Sequence, residues 1–163
     1  MENFIQRKFE SLKEKLSDPM WADSENAWIK TLGPTKLGMI GKQLAVEILG
    51  GNKVKNSESG YDIESQKKCI QVKLATVSLA NGYPLISWKQ ICPRDSFTHI
   101  CFIGIYPNNV RMFLVPKKDI PTKALSNMHK RTKNSEIFQI HCRQVDELFP
   151  WMVQHEIIVG NRA

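Results

Sequence analysis

The chain has 163 residues, 42% of them hydrophobic and 24% charged, and its 23 Lys and Arg against 16 Asp and Glu leave a net charge of +7. That length suits one domain with its own core, expected to span residues 1–163, and the composition excludes disordered, collagen-like and low-complexity chains. The basic excess points to a polyanionic partner, either nucleic acid or an anionic membrane surface.

Phe4, Ile5, Phe9, Leu12 and Leu16 recur at helical spacing among Arg7, Lys8, Lys13 and Lys15, so residues 2–16 read as an amphipathic helix. Pro19 ends that pattern. Trp21 and Trp28 are expected to pin the irregular stretch that follows to the core. A second helix starts at Pro34, since proline is welcome in a first helical turn. It buries Leu37, Ile40, Leu44 and Ile48 and stops at Gly50-Gly51.

The period then changes to two. Residues 61–64 read as a short strand and 65–68 as a turn. Residues 69–74 read as a strand with Ile70, Val72 and Leu74 on one face and Cys69, Gln71 and Lys73 on the other. Asn81-Gly82 and Pro84 mark a loop, and 85–91 a strand. Residues 98–106 are almost wholly apolar, as in a central strand covered on both faces. Pro107-Asn108-Asn109 signals a turn, with 110–115 as its hairpin partner. Beyond Pro116 come Lys117, Lys118, Lys123, Lys130, Arg131 and Lys133, opposed mainly by Asp119. A short helix is expected over 122–129. A last helix is expected around Val145, Leu148, Phe149 and Trp151, interrupted by Pro150. This order predicts an α/β (α+β) fold, a central mixed β-sheet flanked by helices.

Cys69, Cys92, Cys101 and Cys142 form no Cys-x-x-Cys pair, which excludes zinc-ribbon and thioredoxin-like motifs. His141-Cys142 is the one metal-like neighbour pair and reads as plain strand or loop. The chain opens without an apolar leader and holds no run long enough to span a bilayer. The expectation is a cytoplasmic protein with reduced thiols and no membrane segment.

The chemistry is concentrated in Gly60-Tyr61-Asp62 and Cys69-Ile70-Gln71-Val72-Lys73. If the two strands pair as a hairpin, Asp62 converges with Gln71 and Lys73. A carboxylate, an amide oxygen and an ammonium at one point suit metal-assisted phosphodiester hydrolysis. The carboxylate holds a hard cation, the cation activates water, and the lysine orients that water and meets charge on the phosphate.

This block resembles the PD-(D/E)xK nuclease superfamily, which includes the type II restriction endonucleases. Gly60-Tyr61-Asp62 stands where the family has Pro-Asp, and Gln71-Val72-Lys73 where it has (Asp/Glu)-x-Lys. Residues 41–49 look like the family's first core helix, whose glutamate often joins the metal site, here Glu47. Residues 87–91, 98–106 and 113–117 are similar to strands that close the core in restriction-like proteins. The likeness spans residues 37–120. Tyr61 replaces the proline, and Gln71 replaces the second acid, a variant similar to Mrr-type restriction proteins and transposon end-cleaving subunits.

The resemblance implies a restriction-endonuclease-like core and an Mg2+-dependent DNA endonuclease, with Mn2+ able to substitute. Glu47, Asp62, Gln71 and Lys73 would be catalytic, the first three of them as metal ligands. Glu58 and Glu64 are nearby acids read as solvated, with Glu64 a spare ligand. A nuclease needs phosphate-binding charge. Lys53, Lys55, Lys117, Lys118, Lys130, Arg131 and Lys133 are the candidates, beside Lys67 and Lys68. Base-edge readers should lie after Pro116 or within residues 78–94. The expected partner is double-stranded DNA, cut site-specifically by a homodimer. The alternatives are a homing, junction-resolving or mobile-element nuclease with the same core, or a catalytically degenerate DNA-binding protein.

Overall fold

The structure is a computed structural model that describes residues 4–16, 18–55, 60–130 and 136–158. Helices α1 (Phe4–Leu16) and α2 (Pro34–Leu49) form where the apolar periodicity places them. Phe4, Phe9 and Leu12 nevertheless stay more than half exposed, so the stripe of α1 lies open rather than against the core. Two 3-10 turns, Pro19–Trp21 and Ala27–Thr31, join the helices. Trp21 is buried and donates its indole N–H to the Val77 carbonyl at 3.0 Å, as expected of an anchor. Trp28 is 55% exposed, and the adjacent Ile29 is buried in its place. Neighbouring residues in so tight a turn face different directions, so only one of the two can reach the core.

In chain order the strands are β1 (Asn52–Lys53), β2 (Ile63–Ser65), β3 (Lys68–Thr76), β4 (Ser78–Ala80), β5 (Tyr83–Ile91), β6 (His99–Tyr106), β7 (Asn109–Pro116), β8 (Ser126–Lys130) and β9 (Glu136–Cys142). A mixed sheet has the order β1-β2-β3-β6-β7, in which only β3 and β6 are parallel. A second, antiparallel sheet has the order β4-β5-β9-β8. The fold is thus the mixed α+β architecture that the element order predicts.

Parallel neighbours need a crossover. Here the crossover between β3 and β6 is the β4–β5 hairpin, which places β5 against β3. Trp88 of β5 meets Phe102 of β6 edge-to-face with ring centroids 5.5 Å apart. Gly104 of β6 makes room: a Cβ there would stand 3.1 Å from Ile86 Cδ1 and 3.4 Å from Trp88 Cζ2. On the opposite face Gly41 of α2 lies over Val72 and Leu74 of β3. The central sheet therefore carries a helix on one face and the second sheet on the other. β6 is buried from Ile100 through Ile105, as expected for a strand covered on both sides.

Two expectations after Pro116 fail. Residues 122–129 do not form a helix: a 3-10 turn at Thr122–Ala124 leads into β8, which pairs with β9. That stretch has no apolar stripe to hold an isolated turn of helix. β9 pairs with β5 on one side and offers its other edge to β8. Pro150 does not interrupt a helix but opens one, α3 (Pro150–Val153), where its missing N–H costs nothing. The segment after α3 clamps β7. Arg111 reaches Glu156 through two hydrogen bonds of 2.7 Å, and His155 Nε2 lies 3.0 Å from Asp119 Oδ2. Among the described residues no helix is long and apolar enough to cross a membrane.

Candidate active site

Gln66 and Lys67 close the β2–β3 hairpin with φ of +47 and +63. Two positive φ values mark the type I′ turn, whose twist suits paired strands. The turn sets the register Ile63↔Ile70, Glu64↔Cys69 and Ser65↔Lys68. Continuing that register places Asp62 opposite Gln71.

At this open end of the hairpin a side chain takes over from the main-chain ladder. The Asp62 amide donates to the Ile70 carbonyl at 2.8 Å, while Asp62 Oδ2 accepts the Val72 amide at 2.8 Å. Asp62 Oδ1 stands 2.8 Å from Lys42 Nζ, which descends from α2. Close packing at Gly41 brings Lys42 down: a Cβ at Gly41 would already touch Leu74 Cβ at 3.1 Å.

Gln71 is only 7% exposed. Its amide nitrogen faces two acceptors, the Gly60 carbonyl and Asp95 Oδ2, each at 3.4 Å. Two acceptors on that side match an amide nitrogen at that end. The other end, Gln71 Oε1, is buried and has no hydrogen-bond partner among the described residues. A buried acceptor without a partner is costly and rare.

Lys73 Nζ donates to the Gln90 carbonyl at 2.6 Å. Burial pushes the Lys73 pKa below its ordinary value, and the charges of Asp62, Cys92 and Asp95 pull the other way. The Gln90 carbonyl is turned by a β-bulge. Trp88 pairs with Ile140 and Ile91 with Phe138, so β5 uses one more residue than β9. Gln90 takes up the excess at φ +58.

Asp95 was not singled out from the sequence, where it looks like an ordinary turn acid after Pro93. It sits on the loop between β5 and β6, and Gly60 lets it approach. Gly60 has φ +75, and a Cβ there would stand 2.8 Å from Asp95 Cβ. Lys117 fixes the same loop. Its Nζ donates to the Asp95 carbonyl at 2.7 Å and lies 4.3 Å from the Phe97 ring centroid.

The other candidate residues are scattered. Glu47 is exposed on α2 and accepts a 2.7 Å bond from Gln43 Nε2, while Gln43 Oε1 takes Lys53 Nζ at 2.6 Å. Five residues beyond Lys42 it lies about 140° round the helix. No described contact joins Glu47 to Asp62, Gln71 or Lys73, and the α2 side chain that meets Asp62 is Lys42. Glu64 accepts the Tyr61 hydroxyl at 2.7 Å, which with burial pushes the Tyr61 pKa up to about 12. Lys55, Lys67 and Lys118 are exposed and Lys68 half-buried. Lys130 ends β8. Glu58, Arg131 and Lys133 lie outside the described residues. All four thiols are free, and burial raises Cys101 to about 12. His141 and Cys142 are successive residues of β9 and point to opposite faces.

Beside Lys73 runs a groove of about 620 Å³ between the first half of α2 and the second sheet. Gly38, Lys73, Ser87, Lys89, Gln139 and His141 line it. Ser87 and His141 are cross-strand partners. Residues 78–94 and the chain beyond Pro116, separate in sequence, thus form one wall.

Among the described residues, no three His, Cys, Asp or Glu side chains come together as a metal-ligand group. The oxygen donors present are of the kind a hard cation takes. Such an ion would find the Asp62 carboxylate, the unpartnered Gln71 Oε1 and the nearby Asp95 carboxylate, with water completing its shell. The chain matches no known protein-family model, and no curated protein matches it either.

Proposed function

We propose that this protein is a metal-dependent DNA endonuclease of the PD-(D/E)xK kind, acting on duplex DNA as a type II restriction enzyme does. The observation that carries the reading is the buried, unpartnered Gln71 Oε1 on β3, the strand that also carries Lys73 and whose Val72 amide holds Asp62. It supports a cation at a place where carboxylates and a lysine of lowered pKa also meet.

Asp62, Gln71 Oε1 and Asp95 would hold the ion. Bound Mg2+ supplies Lewis-acid stabilisation of the scissile phosphate and a water of lowered pKa. Asp62 is anchored for this by the Val72 amide, so little reorganisation is needed. Lys73, aimed by the Gln90 carbonyl, orients the attacking water and meets charge developing on the phosphate. The groove beside Lys73 receives the duplex, with Lys89 for phosphate and Gln139 and His141 for base edges. One site cuts one strand, so a double-strand break takes a homodimer.

Plasmid cleavage with Mg2+ tests the reading. Wild type should nick and linearise supercoiled DNA, and Asp62→Ala and Lys73→Ala should each lose at least about 100-fold, the scale of a lost catalytic group. Equal cutting by all three proteins sinks it. The ion pair between Lys42 and Asp62 favours one second reading, a DNA-binding protein whose site has decayed. It requires salt-dependent DNA binding with no cutting in either Mg2+ or Mn2+.

A further inference from the structure

Lys42 is the side chain the sequence motif does not contain and the structure puts at its centre. Its Nζ lies 2.8 Å from Asp62 Oδ1, the only carboxylate oxygen of Asp62 not already taken by the main chain. An ammonium at this distance stands where a ligated cation would have to stand. Asp62 is 20% exposed, while Lys42 is 46% exposed. Lys42 is therefore the more solvent-exposed partner of the pair. Ion pairs this open to solvent hold weakly.

We infer that Lys42 is an internal counter-ion of the site, exchanged for the divalent cation and then available to a DNA phosphate. The inference rests on the metal-site reading above and adds its regulation. Two observations carry it. Asp62 stays in place when Lys42 leaves, because Val72 N–H holds Oδ2 at 2.8 Å. Lys42 cannot be pushed far from the site, because Gly41 packs α2 onto Leu74 and Val72 of β3.

The exchange has a direction. Without metal, Lys42 neutralises Asp62 and keeps the carboxylate from repelling a phosphate. With metal bound, the ion takes Oδ1 and the freed ammonium adds one phosphate contact at the edge of the site. Metal and DNA should therefore bind with positive coupling, which must be reciprocal.

The experiment measures Mn2+ binding by electron paramagnetic resonance of free Mn2+. It uses wild type, Lys42→Met, Lys42→Arg, Asp62→Asn and the double variant Lys42→Met/Asp62→Asn. Circular dichroism confirms that each variant folds. Without DNA, Lys42→Met should bind Mn2+ about tenfold more tightly than wild type, from removing one competing charge, and Lys42→Arg should stay near wild type. In the Asp62→Asn background the Lys42→Met change should have no effect. In Ca2+, with the duplex checked on a gel to remain uncut, wild type should gain more affinity for a 20-base-pair duplex than Lys42→Met does. If Asp62→Asn weakens Mn2+ binding and Lys42→Met leaves it unchanged or weaker, Lys42 is no counter-ion, although the metal site stands. If wild type and Lys42→Met bind no Mn2+ at all, the metal-site reading falls and the exchange falls with it.

Discussion

Lys73 Nζ donates a 2.6 Å hydrogen bond to the main-chain carbonyl of Gln90, which stands at φ +58 within a bulge of β5. A non-glycine residue in the left-handed region costs about 1–2 kcal/mol. A regular strand would avoid that cost, but would leave the carbonyl in the β5–β9 ladder. The bulge releases it toward Lys73. The strain thus sits at the contact that aims the proposed catalytic lysine, where such irregularities concentrate.

Burial lowers the Lys73 pKa, so the residue links stability to alkaline pH. Between its folded value and the ordinary 10.5, the unfolded chain binds more protons than the folded one. Stability contributed at this position therefore rises as pH climbs through that window. Urea unfolding of wild type and Lys73→Met between pH 7 and about 10 should show wild type gaining stability relative to the variant as pH rises. A difference that is flat, or that moves the other way, contradicts a partly buried Lys73 of lowered pKa.

Gln71→Glu restores the acid common to the resembling family and should trade stability for metal affinity. The new carboxylate would face the Gly60 carbonyl and Asp95, both of which now accept from the Gln71 amide. Without metal it should destabilise the protein by about 2 kcal/mol, through a buried unpaired charge beside a like charge. Mn2+ should bind about tenfold more tightly, because a carboxylate replaces a neutral donor. Urea titrations with and without Mn2+ measure both, and saturating metal should recover most of the lost stability.

Gly41→Val should unseat Lys42. A Cβ at Gly41 meets Leu74 Cβ at 3.1 Å, a contact between rigid atoms, and valine adds two methyl groups beyond it. The expected loss is about 1–3 kcal/mol from overpacking. The shifted helix should also mimic Lys42→Met in Mn2+ affinity, because both break the pair with Asp62. Thermal unfolding and the same Mn2+ titration check the two effects together.

Replacing Gln66-Lys67 by Asn-Gly keeps the positive φ values but removes their cost. The variant should gain about 1 kcal/mol in urea unfolding, because the Ile63↔Ile70 register is preserved and the cost at the two turn residues is removed. An unchanged or lower stability would mean that Gln66 and Lys67 carry no such cost.

Local periodicity was enough to foresee α2, the β2–β3 hairpin and the buried strand β6, because each buries a face with its own repeat. The same spacing brought Asp62, Gln71 and Lys73 to one end of the hairpin, since register is a local property of the turn. Strand β8 was not legible, because an edge strand is held by hydrogen bonds to a partner elsewhere in the chain. Pro150 was misread for a related reason: a proline marks a helix boundary without saying which end it is.

What the sequence alone determined is the kind of chemistry present: a carboxylate, an amide and a lysine at hairpin spacing within a basic chain of net charge +7. Which further residues join them was decided only by tertiary structure. Asp95 arrives because Gly60 has no side chain to block it, and Lys42 because Gly41 lets α2 settle onto β3. Glu47, on the same helix, is carried away by its position about 140° round the axis. Periodicity states which residues share a face, but the approach of one element to another depends on the size of the atoms between them. Glycine records that approach only when its neighbours are known.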